Sequence, residues 1–377
     1  MENKKSIGLI ICNRNFGGQE SRYLKIAYAL FKTNWNVTVF INEDLYWKIK
    51  EKHLHIWDND LFMERLMIVK MTRSSLIQSF LNLFFFHGFK IDPFLLNARK
   101  KILQTNPDII VSDKDLINLK TLRKYFKNTI IKDYTSPESV TRSFAYKDYR
   151  YFDQVDHFYF VSPSVKTRFY KYFKNYLNNI IDSDTTIFET PFYAGSIEEV
   201  NFEEKTNTII FAHQFKERKN PELFADIIMK FCEDKRYDSW KFGFYGRGPL
   251  ESILKRKLKQ HIDSGRVHFG FVYNLHEKLL QSKIFVSLIE PDNFPSQSII
   301  EAMSTGNALL VLNSGESHRF IKENGILVEK DTDIILEKLM SLIDEDLMRL
   351  GQNSQALAKE KFAKEKYLEV WTKNMVE

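Results

Sequence analysis

Residues 291–312 read PDNFPSQSIIEAMSTGNALLVL, and this stretch decides how the rest of the chain is interpreted. A polar loop leads to Ser296, a residue type that often caps a helix, and an amphipathic helix is expected over Gln297–Ser304. A glycine then precedes the apolar run Ala308–Leu312. A loop, a helix, a glycine turn and a buried strand in this order are typical of parallel α/β sheets.

The same alternation of short apolar runs and helical patterns extends along the chain. It predicts the α/β class, with a parallel sheet covered on both faces. The boundary between two sets of strands is expected in the polar stretch Gly195–Asn207, and a helical tail is expected over Asp346–Lys373. The other strands are predicted at Ser6–Cys12, Asn36–Ile41, Pro107–Ser112, Thr129–Lys132, His157–Ser162, Thr208–Ala212, Trp240–Tyr245, Val267–Val272 and Ile284–Ile289. The other helices are predicted at Gln19–Phe31, Pro221–Glu233, Leu250–Ile262 and Leu275–Gln281.

Length and composition favour two ordinary domains. The 377 residues exceed one typical core, and 44% hydrophobic residues supply enough apolar surface for two. The net charge of +6 is modest, and without a recognised motif it gives little reason to expect nucleic-acid binding. Cys12 and Cys232 form no disulfide framework, which fits a reducing cytoplasm. Apolar runs stay shorter than the ~20 residues that a membrane span needs.

Two glycine-containing turns follow predicted strands. Gly17 and Gly18 open the first helix, where free amide groups can bind an anion. Gly246 and Gly248 flank Arg247 after a later strand. Neither turn carries the three spaced glycines of a nicotinamide-dinucleotide site, so a dehydrogenase is disfavoured.

A basic loop and an acidic pair follow strands of the second half. Lys216, Arg218 and Lys219 lie within four residues, beyond the carboxyl end of Thr208–Ala212. Ligands of open α/β sheets bind at such ends, and a diphosphate needs cations there. Asp292 and Glu301 flank the start of the later helix, where carboxylates can accept hydrogen bonds from ribose or hexose hydroxyls.

These landmarks together resemble the donor domain of family-4 glycosyltransferases of the GT-B fold. The order Asp292…Glu301-Ala302-Met303, followed by Gly306 and a strand, matches the family's acidic motif. The loop before Lys219-Asn220-Pro221 resembles its arginine–lysine pair. Ser314-Gly315-Glu316, Glu323–Val328 and the Gly17-Gly18 loop resemble further landmarks. Two departures stand out: eight residues rather than seven separate the acids, and Gln214 occupies the arginine position.

The resemblance implies two Rossmann-like domains that face each other across a cleft. Residues 1–195 would bind the acceptor and residues 196–355 the nucleotide-sugar donor, with residues 356–377 packing back on the first domain. The catalytic residues would be Lys219, Gln214, Arg218 and Asp292. The donor-binding residues would be Gly17, Gly18, Gly246, Arg247, Phe294, Pro295, Ser296, Gln297, Ser298 and Glu301. No metal or cofactor is expected, since Asp58-Asn59-Asp60 resembles a solvated turn.

The function expected from the resemblance is transfer of a sugar, with retention of configuration, to a glycan or lipid-linked acceptor in surface-polysaccharide assembly. The protein would work in the cytoplasm, at the inner face of the membrane. The Phe-rich segment Ser75–Phe89 is either a core helix or a surface that dips into lipid. Two alternatives remain: a non-catalytic sugar- or lipid-binding homologue, and a nucleotide-sugar epimerase.

Overall fold

The computed structural model describes residues 5–14, 18–33, 35–51, 60–70, 93–113, 116–177, 199–272, 274–292, 294–366 and 368–369. The chain divides into two compact units. Unit 1 comprises Met1–Ala194 and Tyr367–Glu377, and unit 2 comprises Gly195–Lys366.

Unit 1 contains a six-stranded sheet flanked by helices. Its strands are β1 Ser6–Ile11, β2 Asn36–Asn42, β3 Leu66–Val69, β4 Ile109–Ser112, β5 Thr129–Tyr134 and β6 His157–Phe160. Its described helices are α1 Gly18–Phe31, α2 Glu43–Glu51, α3 Asp60–Met63, α4 Pro93–Thr105, α5 Leu116–Arg123, α6 Pro137–Ala145 and α7 Pro163–Phe173.

Unit 2 repeats this plan. Its strands are β7 Thr206–Ala212, β8 Lys241–Tyr245, β9 Val267–Gly270, β10 Ser282–Ser287, β11 Ala308–Leu312 and β12 Gly325–Val328. Its helices are α8 Pro221–Phe231, α9 Glu251–Lys257, α10 Lys259–Asp263, α11 Leu275–Leu280, α12 Gln297–Ser304, α13 Thr332–Ile343 and α14 Leu347–Phe362.

Both sheets are parallel and have the same topology. The strand orders are β3-β2-β1-β4-β5-β6 and β12-β11-β10-β7-β8-β9, which is the doubly wound order of a Rossmann fold. In each sheet the order reverses beside the first strand, so the switch points lie between β1 and β4 and between β7 and β10. The α/β class and the Rossmann-like character of both domains are therefore confirmed.

The aromatic content of the sequence fills the cores. In unit 2, Phe224 of α8 stacks on Phe211 of β7 with ring centroids 4.9 Å apart, and Phe231 meets Phe242 of β8 edge-on at 5.2 Å. All five residues of β11 are buried, as expected of a central parallel strand covered on both faces. This rigid packing fixes the carboxyl ends of the strands, where the candidate site lies.

Several local predictions need correction. The short strands β3 and β12 were not predicted, and both lie at the edges of their sheets. The single helix expected over Leu250–Ile262 is two, because Leu258 leaves helical geometry at φ −95° and ψ 9°. The predicted helical tail is present but has a break: α14 ends at Phe362, Ala363 is extended, and residues 364–366 and 368–369 are helical again.

Membrane contact is not decided by the fold. The segment Ser75–Phe89 lies outside the described residues. In the part of the chain that the structure describes, no helix has the length and apolar character to cross a membrane.

Candidate active site

The candidate site lies at the switch point of unit 2. β7 ends at Ala212 and β10 ends at Ser287, and the two strands are neighbours in the sheet. The backbone N–H of Thr206, at the start of β7, donates to the carbonyl of Gln281 at 2.8 Å, although 75 residues separate them. The chain leaves both strands on the same edge of the sheet. The switch point of an open parallel sheet is where ligands usually bind.

A basic turn follows β7 and is held against β10. Glu217–Lys219 form one turn of 3-10 helix, and Asn220 ends it in the left-handed region at φ 50°. The amide of Asn220 donates to the carbonyl of Leu288 at 2.7 Å, and the backbone N–H of Glu290 donates to the carbonyl of Arg218 at 3.1 Å. These bonds fix the half-buried Lys219 at the switch point, while Arg218 is exposed.

The predicted residue Gln214 lies on the exposed side of the same loop. The loop backbone is anchored on either side of Gln214. The N–H of His213 donates to the carbonyl of Tyr245 at 3.1 Å, and the N–H of Phe215 donates to the carbonyl of Arg247 at 2.9 Å. Gln214 therefore has a fixed backbone and a side chain that can reach a ligand from solvent.

Gly246 and Gly248 have a packing role at this edge. A Cβ atom on Gly246 would lie 2.0 Å from the carbonyl oxygen of His213, and one on Gly248 would lie 2.4 Å from that of Phe215. Only glycine permits this approach of the two loops. Arg247, exposed between them, lies over the exposed ring of Phe271, 4.4 Å from its centroid.

Asp292 connects two loops of unit 2. Its Oδ1 accepts hydrogen bonds from the backbone N–H of Phe294 at 3.0 Å and of Glu316 at 3.3 Å. Gly315 makes room for the carboxylate, since a Cβ there would lie 2.4 Å from Oδ1 and the residue has φ +54°. The predicted catalytic role of Asp292 stays a prediction, and its bonds to the two backbone amides give it a loop-positioning role.

Glu290 is an acidic residue of the site that the sequence did not single out. Its Oε1 forms an ion pair with Lys330 and accepts a hydrogen bond from the Asn220 amide at 3.3 Å. The bond to Lys330, assisted by that from Asn220, lowers the pKa of Glu290 below its usual range. Glu290 therefore joins the basic turn to the segment after β12.

The start of α12 brings together several predicted donor-binding residues. Ser296 is the N-cap, and its hydroxyl lies 3.2 Å from that of Ser298. The amide nitrogen of Gln297 lies 3.5 Å from Oε1 of Glu301. Glu301 is half-buried, one turn into the helix. Free amide groups of a first helical turn attract anions, so this turn suits a phosphate.

Phe294 and Pro295 precede this helix. The ring of Phe294 is buried 4.9 Å from Phe320 and 6.3 Å from Phe362, measured between centroids. The guanidinium of Arg319 lies 5.0 Å from the Phe294 centroid. Phe294 therefore anchors the loop through its side chain and can offer a ligand its backbone. The next residue, Pro295, is half-buried.

His213 was also missed from the sequence. Its ring meets Phe211 edge-on at 4.8 Å and Phe285 at 5.7 Å, and Nδ1 lies 3.5 Å from the Ser298 hydroxyl oxygen. Burial, followed by the charges of Lys219 and Arg218, lowers its pKa well below the usual value. The imidazole is therefore neutral. Its position directly after a buried strand was the available sequence signal.

Unit 1 presents polar groups at its own switch point. Gly17 lies outside the described residues, and Gly18 is the first residue of α1. Gln19 donates to the carboxylate of Asp113, which directly follows β4. The first turn of α1 is thus tied to the neighbouring strand.

A buried ion pair fixes the next turn of α1. Arg22 Nη1 lies 2.6 Å from Asp133 Oδ2 of β5, and the Tyr23 hydroxyl donates to the same oxygen at 3.0 Å. Burial and then Asp133 raise the pKa of Tyr23. Such a buried network costs desolvation, so it serves positioning better than stability.

Within the described part of the chain, no group of three or more His, Cys, Asp or Glu residues could hold a metal ion. The expectation that the reaction needs no metal remains a prediction.

Comparison with known proteins identifies a family that unit 2 resembles. Residues 206–345, from the start of β7 to the residues before α14, match the family model of group 1 glycosyl transferases. The chain resembles these enzymes. No curated protein matches the sequence at a significant level.

Solved structures match over nearly the whole chain. A mutant of TarM from S. aureus, in complex with fondaparinux, alpha-GlcNAc-glycerol and UDP, has 12% identity and a TM-score of 0.69, covering 98% of this chain and 99% of TarM. The pneumococcal O-GlcNAc transferase GtfA, in complex with UDP and GlcNAc, has 12% identity and a TM-score of 0.72 with 99% coverage of both chains.

The apo lipopolysaccharide outer core galactosyltransferase WaaB has 13% identity and a TM-score of 0.63, covering 98% of this chain and 99% of WaaB. At such identities the likeness shows the fold. The two-domain architecture is that of the GT-B glycosyltransferases.

Proposed function

We propose that this protein transfers a sugar from a uridine diphosphate sugar to a glycan acceptor. The observation that carries the proposal is the meeting of a cationic turn with a helix N-terminus at the β7/β10 switch point. Lys219 and the first turn of α12 both favour a diphosphate. The group 1 match covers this segment, and TarM and GtfA both bind UDP, which supports the choice of nucleotide.

The proposed chemistry follows from charge. The bond between the anomeric carbon and the phosphate oxygen breaks, so negative charge grows on the leaving diphosphate. Lys219 stabilises this charge, with Arg218 and Gln214 as further donors. The acceptor hydroxyl oxygen forms the new bond to the anomeric carbon, and its proton leaves with the diphosphate or to solvent.

Recognition of the donor involves the carboxylates. Glu301 accepts hydrogen bonds from the ribose hydroxyls, and Asp292 positions the backbone that contacts the sugar. Ser296, Gln297 and Ser298 present the first turn of α12 to the phosphates, and Arg247 borders the same edge. Retention of the anomeric configuration, as implied by the family resemblance, and independence of a metal are part of the proposal.

The acceptor and the place of action are also proposed. We assign the acceptor to unit 1, and a surface polysaccharide or its lipid-linked precursor is the substrate class we favour. The fold likeness to WaaB, which acts on lipopolysaccharide, supports that class. We place the protein in the cytoplasm at the inner face of the membrane, because a reducing compartment suits a chain whose two cysteines form no disulfide framework.

The test is a mass-spectrometric screen of UDP-sugars in buffer with EDTA. We expect one donor to be hydrolysed slowly to UDP and free sugar without an added acceptor. Lys219→Ala should lower that rate by ~10²-fold or more, the scale of losing one transition-state donor. Lys255→Ala, an exposed lysine of α9, removes the same charge away from the switch point and should leave the rate unchanged.

Three results would overturn the proposal. An unchanged rate in Lys219→Ala would remove the lysine from the chemistry. Formation of an epimeric UDP-sugar would identify an epimerase. Binding of a sugar or lipid without consumption of any donor would identify a non-catalytic homologue.

A further inference from the structure

Ser296 is an N-cap residue whose side chain does not cap its helix. It has the extended backbone of a capping residue, φ −111° and ψ 118°, yet its hydroxyl makes no bond to the first-turn amides of α12. Two other N-caps behave differently. Ser162 accepts a bond from Val165 N–H at 3.4 Å before α7, and Asp331 accepts two from the first turn of α13. Something therefore holds the Ser296 hydroxyl elsewhere.

A short chain of polar atoms accounts for this. The Ser296 hydroxyl lies 3.2 Å from the Ser298 hydroxyl, which lies 3.5 Å from Nδ1 of His213. The ring of His213 is fixed between Phe211 of β7 and Phe285 of β10. The chain therefore begins at a rigid part of the sheet and ends at the N-cap.

The neutral imidazole gives this chain a direction. A neutral ring has one acceptor nitrogen, and with Nδ1 in that role the Ser298 hydroxyl donates a hydrogen bond to it. The Ser298 oxygen can then accept from Ser296. Nε2 of His213 is buried and has no hydrogen-bond partner among the described residues.

We propose that His213 is a positioning residue that acts through Ser298 to hold the Ser296 hydroxyl away from the first turn of α12. The amide groups of that turn then stay available for the diphosphate of the donor. Without His213, Ser296 would cap its own helix, as Ser162 does, and compete with the ligand for the same donors. This inference rests on the proposed function.

The experiment measures UDP affinity by isothermal titration calorimetry for three variants of His213. Asparagine places a polar atom near the position of Nδ1, whereas glutamine places one near Nε2. We expect His213→Asn to bind UDP as the unmodified protein does. His213→Gln and His213→Leu should bind ~3- to 10-fold more weakly, the scale of one capping bond in competition.

A second set of variants distinguishes positioning from general damage. Ser298→Ala interrupts the chain without altering the buried ring, and should weaken UDP binding as His213→Leu does. In a Ser296→Ala background, where no hydroxyl can compete, adding Ser298→Ala or His213→Leu should cost no further affinity. Loss through misfolding would persist in that background.

The outcomes separate this inference from the function it rests on. If the unmodified protein and every variant fail to bind UDP, both are wrong. Equal UDP affinity for the unmodified protein, Ser298→Ala and His213→Leu would overturn the positioning role alone. Rescue by glutamine but not asparagine would also overturn it, because the polar atom that matters would then be at the position of Nε2 and not of Nδ1.

Discussion

Replacing Asp292 by alanine tests whether this carboxylate positions loops or acts on the sugar. Alanine removes two hydrogen bonds from a charged acceptor, those from the amides of Phe294 and Glu316. Each bond to a charged group is worth ~1.5–3 kcal/mol, and the half-exposed setting favours the lower end, so we expect unit 2 to lose ~3 kcal/mol. For a unit of this size that is a fall in Tm of ~6–12 °C.

Asp292→Asn distinguishes the two roles. The asparagine oxygen can still accept from both amides, so the loops should stay in place. We expect a smaller loss of Tm than in Asp292→Ala and a donor-hydrolysis rate within a few-fold of the unmodified protein. Asp292→Ala should lose more activity, since the backbone that we propose to contact the sugar would move.

Asp331→Ala is the matched control. Asp331 also accepts two backbone bonds, from Asp333 at 2.9 Å and Ile334 at 3.0 Å, but it caps α13. Asp331→Ala should lower the free energy of unfolding by ~1 kcal/mol and leave turnover unchanged. The reasoning fails if Asp292→Asn keeps the normal Tm and loses as much turnover as alanine, because the negative charge itself would then act in the reaction.

Three further predictions concern other parts of the protein. Glu301→Gln should weaken UDP binding ~10-fold or more, with Tm nearly unchanged, because an amide replaces the carboxylate that we propose to accept hydrogen bonds from ribose. Calorimetry and a thermal melt check this, and lost folding with normal affinity would indicate a structural acid. Burial lowers the pKa of Lys205 from about 10.5 to about 7, so the folded state binds fewer protons than the unfolded state between those values. The free energy of unfolding should therefore rise by up to ~1.4 kcal/mol per pH unit between these two values. Urea unfolding at two pH values should show a smaller rise for Lys205→Met than for the unmodified protein, and equal rises would contradict the assignment. If Ser75–Phe89 contacts lipid, the protein should float with anionic liposomes at low salt. The double variant Phe84→Ser/Phe85→Ser should then reduce flotation without a change in Tm. Failure of the unmodified protein to float would exclude lipid contact by this segment.

Local sequence was enough to predict most of the fold. The run Ala308–Leu312 is apolar throughout because β11 is covered on both faces, and such runs are visible without knowledge of their neighbours. The edge strands β3 and β12 were missed since each has four residues and only partial burial, which leaves a weak pattern. The break at Leu258 escaped prediction because its residue type continues the helical periodicity.

The sequence also determined the chemistry of the candidate site, because Lys219, Glu301 and the serines of α12 follow strands and open helices in a recognisable order. Only the tertiary structure decided which of these groups meet. β7 and β10 are neighbours through the strand order, and that adjacency places His213 beside Ser298 and Asn220 beside Leu288. The Asp292 carboxylate likewise reaches a loop that follows β11. Residue order encodes periodicity along one segment, whereas contacts between segments depend on how the sheet is wound.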